Sequence, residues 1–210
     1  FPNKRGQLTC DNRQLLKFMD RNGYLPRMES TPESLGWARK LIRDNIFPAK
    51  LIVVHIRNQF KLKDSSEFSD KMGRAGGADV RNSNLPEWEK FFKSLDPSIF
   101  KVICICSKDE VVDSWRNDGL VFFSKDFDSD LTGDCALINL SYISLFPSSG
   151  LFVFGFYSQT PSLVYNVPFC YMEEKKSPKH KLNAALVDGE QYTFQSPYQK
   201  IIWEKDTFEV

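Results

Sequence analysis

Three small residues, Ser148, Ser149 and Gly150, follow the apolar stretch Ile143 to Phe146 and Pro147, and precede the aromatic run "LFVFGFY". Small side chains at a helix start leave backbone N–H groups and the positive end of the helix dipole accessible, which is the chemistry of an anion site. Two further residues suit the same kind of ligand. Arg57 follows the apolar run "KLIVVHI", and its guanidinium can grip a phosphate through two parallel N–H bonds. His55, two residues earlier, titrates near neutrality when unperturbed and is the one candidate general base in this neighbourhood. Together these residues describe a phosphate or nucleotide-phosphate site. Each also has a plainer reading: Ser-Ser-Gly as a turn and helix cap, Arg57 as a solvated strand-end charge, His55 as a buried, hydrogen-bonded imidazole.

The acidic stretch "KDFDSDLTGD", Lys125 to Asp134, offers different chemistry. Asp126 with Asp128, and Asp128 with Asp130, fit the D-x-D spacing by which metal-dependent nucleotide-sugar transferases hold a divalent cation against a diphosphate. The alternative is a solvated loop in which Asp128, Ser129 or Asp130 caps the next helix. Other signatures are missing. There is no Walker G-x-x-x-x-G-K-[ST], no G-x-G-x-x-G and no G-x-S-x-G elbow. The glycines between Gly73 and Gly77 belong to a polar, basic connection that is either mobile or functional. Five scattered cysteines and two histidines (His55 and His180) give no zinc spacing, and Cys104 and Cys106 alternate within an apolar run as buried thiols do. Structural thiols point to a reducing, cytoplasmic compartment.

The chain has 210 residues, 41% of them hydrophobic and 26% charged, with a formal net charge of +1. That balance gives no general reason to expect nucleic acid or an anionic membrane as partner, and no apolar stretch approaches the roughly 20 residues of a membrane span. No signal-peptide pattern opens the chain, and the missing initiating Met suggests a processed, excised or partial product.

The elements that must position these residues alternate. Ser/Thr caps, Pro32 and helically spaced Leu35, Ala38, Leu41 and Ile42 predict a helix from Ser30 to Asn45. Lys50 to Ile56 then reads as a strand buried on both faces. A helix over Leu85–Leu95, a buried strand over Phe100–Cys106, a short helix over Lys108–Arg116 and a strand over Leu120–Phe123 follow. A capped helix over Asp128–Tyr142, a strand over Ile143–Phe146, a helix over Gly150–Tyr157 and a strand over Ser162–Asn166 complete the series. Such a rhythm predicts an α/β fold with a mostly parallel sheet and helices on both faces, whose ligands bind beyond the carboxyl ends of the strands. Beyond Cys170 the pattern fades, and the tail is expected to pack on the sheet domain.

The segments "VVHIRN", "GADVRNSNLPEWEKFFKSL" and "SDLTGDCALINLSYISLFPSSGLFVFGFYSQTPSLVYN" resemble, in order and spacing, the donor-side Rossmann-like domain of GT-B glycosyltransferases. The nearest pattern is a group of bacterial glycosyltransferases. There a strand ends in H-x-R, an R-N pair opens the next helix, and an S-D-x-x-D helix leads to a strand followed by S-S-G-L. His55–Arg57 is also similar to the fucosyltransferase-type H-x-R motif, whose arginine contacts the nucleotide diphosphate.

The resemblance, which covers about residues 30–168, implies a nucleotide-sugar-binding domain over 30–168. An N-terminal segment at 1–29 precedes it, as a linker or remnant of a preceding domain, and an extension at 169–210 packs on it. It implies that Arg57 binds donor phosphate, that Ser148, Ser149 and Gly150 hold phosphate or sugar, and that Arg81 and Asn82 lie near the donor. Asp130 and Asp134 would orient the preceding loop, His55 and Arg57 would carry catalysis, and no metal or other cofactor would be required.

The expected activity is transfer of a hexosyl or fucosyl-type sugar from a nucleotide-sugar to a glycan or surface-polymer acceptor, with no nucleic-acid partner. Two alternatives stand beside it: a non-catalytic nucleotide- or sugar-phosphate-binding module, and a metal-dependent transferase using Asp126 to Asp130. Pro147 departs from the family, which usually has Gly there. The second, acceptor-binding domain of GT-B enzymes has no counterpart in 210 residues, so a fragment or a reduced, binding-only relative is expected.

Overall fold

Alternation along one strand sets the architecture. In β1 (Lys50–His55), Leu51 and Val53 join one hydrophobic core while Ile52 and Val54 join another. A strand buried on both faces must lie inside a layered sheet. The computed structural model describes residues 18, 21–24, 27–58, 82–147, 149–158, 160–166, 191, 195–203 and 206–208. Within them, β1 is flanked by β2 (Phe100–Ile105) and β4 (Ile143–Pro147). Further strands are β3 (Val121–Phe123), β5 (Ser162–Tyr165) and β6 (Gln199–Ile201), giving the order β3-β2-β1-β4-β5-β6 with every pair parallel. This is the strand order of a doubly wound, Rossmann-like α/β sheet, and its winding direction reverses between β1 and β4.

Helices cover both faces. On one, α1 (Pro32–Asn45), α3 (Leu131–Leu140) and α4 (Gly150–Ser158) pack Ala38, Leu41, Leu137, Ile138 and Phe156 against Val53, Ile103, Phe146 and Val164. On the other, α2 (Leu85–Ser94) brings Trp88 and Phe92 onto Ile52, Val54, Val102 and Cys104. An aromatic chain links this face: Trp88 lies 4.9 Å from Tyr165 between ring centres, and Phe92 lies 5.1 Å from Trp115.

Local chemistry fixes the helix starts. Thr31 caps α1 by accepting the Ser34 N–H at 3.2 Å, with Pro32 in the first turn and Glu33 beside the dipole. Asp130 caps α3 by accepting the Gly133 N–H at 2.8 Å. Glycine at 133 is required by packing, since a Cβ there would lie 2.6 Å from Ser129 Oγ and 3.0 Å from Trp37 Cζ3.

Two expectations change, and the tail adds an element. The single helix over Lys108–Arg116 is instead two short 3₁₀ helices, Lys108–Glu110 and Asp113–Asp118. The Glu110 carboxylate folds back on Ser107, and Val111 turns extended, as suits a β-branched pair with Val112. The helix expected from Asp128 starts at Leu131, because Ser124–Phe127 forms a 3₁₀ turn that ends in Asp128 at φ 52°. The tail contributes β6, a sixth parallel strand that runs beside β5. The amphipathic stretch 12–20 apart from Phe18, the Gly-rich segment 59–81 and the charged stretch 167–190 lie outside the described residues. Among the described residues, no helix is long and apolar enough to cross a membrane.

Candidate functional site

In open α/β sheets ligands bind beyond the strands' carboxyl ends at the point where the winding reverses, which here is between β1 and β4. His55 is the last residue of β1, and Ser149 lies between β4 and α4. Ser149 Oγ sits 2.8 Å from His55 Nδ1. The Tyr165 hydroxyl, from the end of β5, donates to the His55 carbonyl at 3.0 Å. The ends of three strands are thereby tied at one residue.

Burial is the main force on the imidazole and holds its pKa at about 4; Glu110 and Asp134 raise it and Arg57 lowers it, without reversing the result. At neutral pH the ring is uncharged and a poor proton acceptor. Its bond to Ser149 gives it the hydrogen-bonded, half-buried role that the sequence also allowed.

Arg57 lies just beyond, on backbone that is stitched down. Its N–H donates to Ser83 Oγ at 3.1 Å, and its carbonyl accepts the Ser83 N–H at 2.8 Å. The next amide, Asn58, donates to Glu110 Oε1 at 2.9 Å. Glu110 is pushed up by burial, but bonds from Asn58 and Ser107 and the nearness of His55 outweigh that and leave it below the ordinary carboxylate value. Asn82 is buried, its carbonyl accepting from Asn166 Nδ2 at 3.2 Å, and Asn166 takes a left-handed φ of 49°. Gly150 opens α4, and a Cβ built on it meets no atom within 4 Å. Arg81 and Ser148 lie outside the described residues.

Pro147 is the last, buried residue of β4, paired with Tyr165. Proline lacks an N–H, so the ladder ends naturally there and the chain can turn toward α4.

The acidic loop takes the capping role rather than gathering round one point. Asp126 pairs with Arg116, Asp128 is exposed in its left-handed turn, and Asp130 caps α3. Asp134 is buried; it accepts from Ser129 Oγ and from Lys125 Nζ, each at 2.8 Å. Lys125 also donates to the Ser129 carbonyl at 2.8 Å, so one ammonium bridges the Asp134 carboxylate and the loop that precedes α3. Among the described residues, no group of three His, Cys, Asp or Glu side chains could hold a metal ion. Burial pushes the thiols up, Cys106 to about 12 and Cys135 to about 11, so neither supplies a thiolate.

Sequence reasoning missed Glu110, Ser83, Lys125 and Tyr165. Only Glu110 carried a readable signal, the S-x-x-E spacing from Ser107.

No family model and no curated protein matches the chain. Among solved structures, the ADP-heptose LPS heptosyltransferase II of E. coli is similar, at 11% identity and a TM-score of 0.53, over 85% of this chain and 45% of that one. The chain therefore spans less than half the length of that structure. At this identity the likeness is one of fold: this Rossmann-like sheet, with helices on both faces, is similar in architecture to part of a glycosyltransferase.

Proposed function

We propose that the crevice beyond β1 and β4 binds the nucleotide diphosphate of a nucleotide-sugar, and that the chain is the donor-binding half of a glycosyltransferase. The observation that carries this reading is the 2.8 Å contact of Ser149 with His55. It brings the start of α4 to the strand end that bears Arg57, so a cation and a helix dipole can meet one anion. In transfer, both would neutralise charge growing on the leaving diphosphate, with Asn82 beside them and no metal called on. The GT-B resemblance and the similarity to a heptosyltransferase support the sugar-transfer class. A glycan or surface-polymer acceptor, and a second domain to hold it, belong to the same proposal.

The test is calorimetric titration with ADP, GDP, UDP and their sugars, ADP-sugars first because the similar structure is that of an ADP-heptose heptosyltransferase. Arg57→Ala is expected to lower affinity at least tenfold while the melting temperature stays near wild type. Unchanged affinity for every compound that binds would sink the assignment. One observation favours a second reading, binding without turnover. The titratable groups around His55, Glu110 and Asp134, are engaged by hydrogen bonds and His55 itself is neutral. Release of sugar from a bound donor, with and without added acceptor, separates the two.

A further inference from the structure

The sequence offered His55 as a base, but its geometry gives it another task. Nδ1 faces Ser149 Oγ at 2.8 Å, and the main chain at His55 is fixed twice over, by register with Ile105 on β2 and by the Tyr165 hydroxyl on its carbonyl. Among the described residues, His55 is the hydrogen-bond partner of the Ser149 hydroxyl, and Ser149 immediately precedes the first residue of α4. The imidazole is thus the side chain that connects the helix start to the rigid centre of the sheet. A turn of small residues has many accessible backbone conformations, so fixing it before a ligand arrives removes an entropic cost of binding.

We propose that His55 is a positioning residue: it holds Ser149 through Nδ1, and so keeps the start of α4 aimed at the diphosphate crevice. This rests on the donor-binding reading above. The residue binds no substrate atom and moves no proton in the proposed step. What matters is a hydrogen-bonding atom at the Nδ1 position. Asparagine places an amide atom close to that position, glutamine places one closer to Nε2, and neither titrates near neutrality.

The test compares wild type with His55→Ala, His55→Asn, His55→Gln, Ser149→Ala and the His55→Ala/Ser149→Ala double variant. Each is titrated calorimetrically with ADP, GDP and UDP, and each melt is recorded to establish the folded fraction. His55→Ala and Ser149→Ala are each expected to weaken the nucleotide about tenfold, the worth of one well-placed hydrogen bond. The double variant should be no weaker than the poorer single, because both delete one contact. His55→Asn should bind within about twofold of wild type while His55→Gln binds as poorly as alanine.

Wild-type affinity in His55→Ala overturns the proposal. So does a double variant weaker by the product of the singles, or rescue by glutamine but not asparagine. If His55→Ala does not fold, Ser149→Ala and the Asn/Gln contrast decide alone. If wild type binds none of the three nucleotides, the donor-binding reading falls and the positioning role falls with it. Wild-type binding without the Asn/Gln contrast removes the positioning role only.

Discussion

His55 and Ser149 stand 94 positions apart in the chain and 2.8 Å apart in space. The bond requires an imidazole held away from water, and that has a consequence for stability. The folded pKa of about 4 lies below the ordinary 6.5, so folding favours the neutral ring. The resulting contribution is fully present above pH 6.5 and is lost as pH falls through 6.5 toward 4. Between pH 7 and pH 5 this group alone should remove up to about 2 kcal/mol of unfolding free energy. The charges of Glu110 and Asp134 act against this shift and that of Arg57 acts with it, but burial dominates. Carboxylates held low, such as Glu110 and Asp130, lose their contributions only below their ordinary values of 4.5 and 3.8, a separate window. Urea unfolding at pH 7 and pH 5 checks this: His55→Asn should show a drop smaller than wild type by about that amount, and an equal drop would contradict the burial argument.

At the scale of an element, α4 carries two glycines under opposite constraints. Gly155 packs against Phe146, where a Cβ would lie 2.5 Å from Cε2 of the fully buried ring. Gly155→Ala must displace that ring or the helix and should cost about 1–3 kcal/mol in urea unfolding. At Gly150 a Cβ meets nothing within 4 Å and φ is not left-handed, so Gly150→Ala should change stability by less than about 0.5 kcal/mol. Under the donor-binding reading, Gly150→Leu should keep the ligand-free melting temperature and abolish the rise caused by nucleotide. A large stability loss at Gly150, or none at Gly155, would reverse this account.

These elements were largely legible because their signals are local. Thr31-Pro32 announced α1, the β-branched run announced β1, and Pro86 announced α2. The failures came where one residue's backbone overrides a periodic pattern. Asp128 turns left-handed and delays α3 to Leu131, and Val111 turns extended and splits the expected helix. The strand-end placement of His55, Arg57 and Ser149 followed from reading the strands. Their pairing did not, since it depends on β1 lying beside β4, a property of the whole sheet. Tyr165 with His55 was hidden for the same reason, whereas Lys125 with Asp134, nine residues apart, was hidden by the left-handed turn at Asp128 between them.

For the whole molecule, the question is how a six-stranded sheet ends. Among the described residues both edge strands are three residues long, β3 on one side and β6 on the other, which limits the template they offer to another chain. The β6 edge is also covered by a side chain. Gln191 accepts the Ile201 N–H through Oε1 at 2.7 Å and donates to the Ile201 carbonyl through Nε2 at 2.9 Å, imitating a seventh strand for one residue. Inside the fold, Gln199 does the reverse. Its buried Nε2 lies 3.0 Å from the Gly155 carbonyl and 3.1 Å from those of Phe156 and Thr160, closing the end of α4. The strand that completes the sheet thus also caps the helix whose start borders the crevice. Gln199→Ala strands buried carbonyls and should cost about 2–3 kcal/mol, whereas Gln191→Ala, at an exposed edge, should cost about 1 kcal/mol or less. Hydrogen exchange reads the difference. Gln199→Ala should speed exchange through β6 and at the amides of α4, Gln191→Ala only at Ile201. If Gln199→Ala leaves α4 protected, β6 is an ornament on a five-stranded sheet, and the helix beside the crevice is held by Phe146 and Phe156 alone.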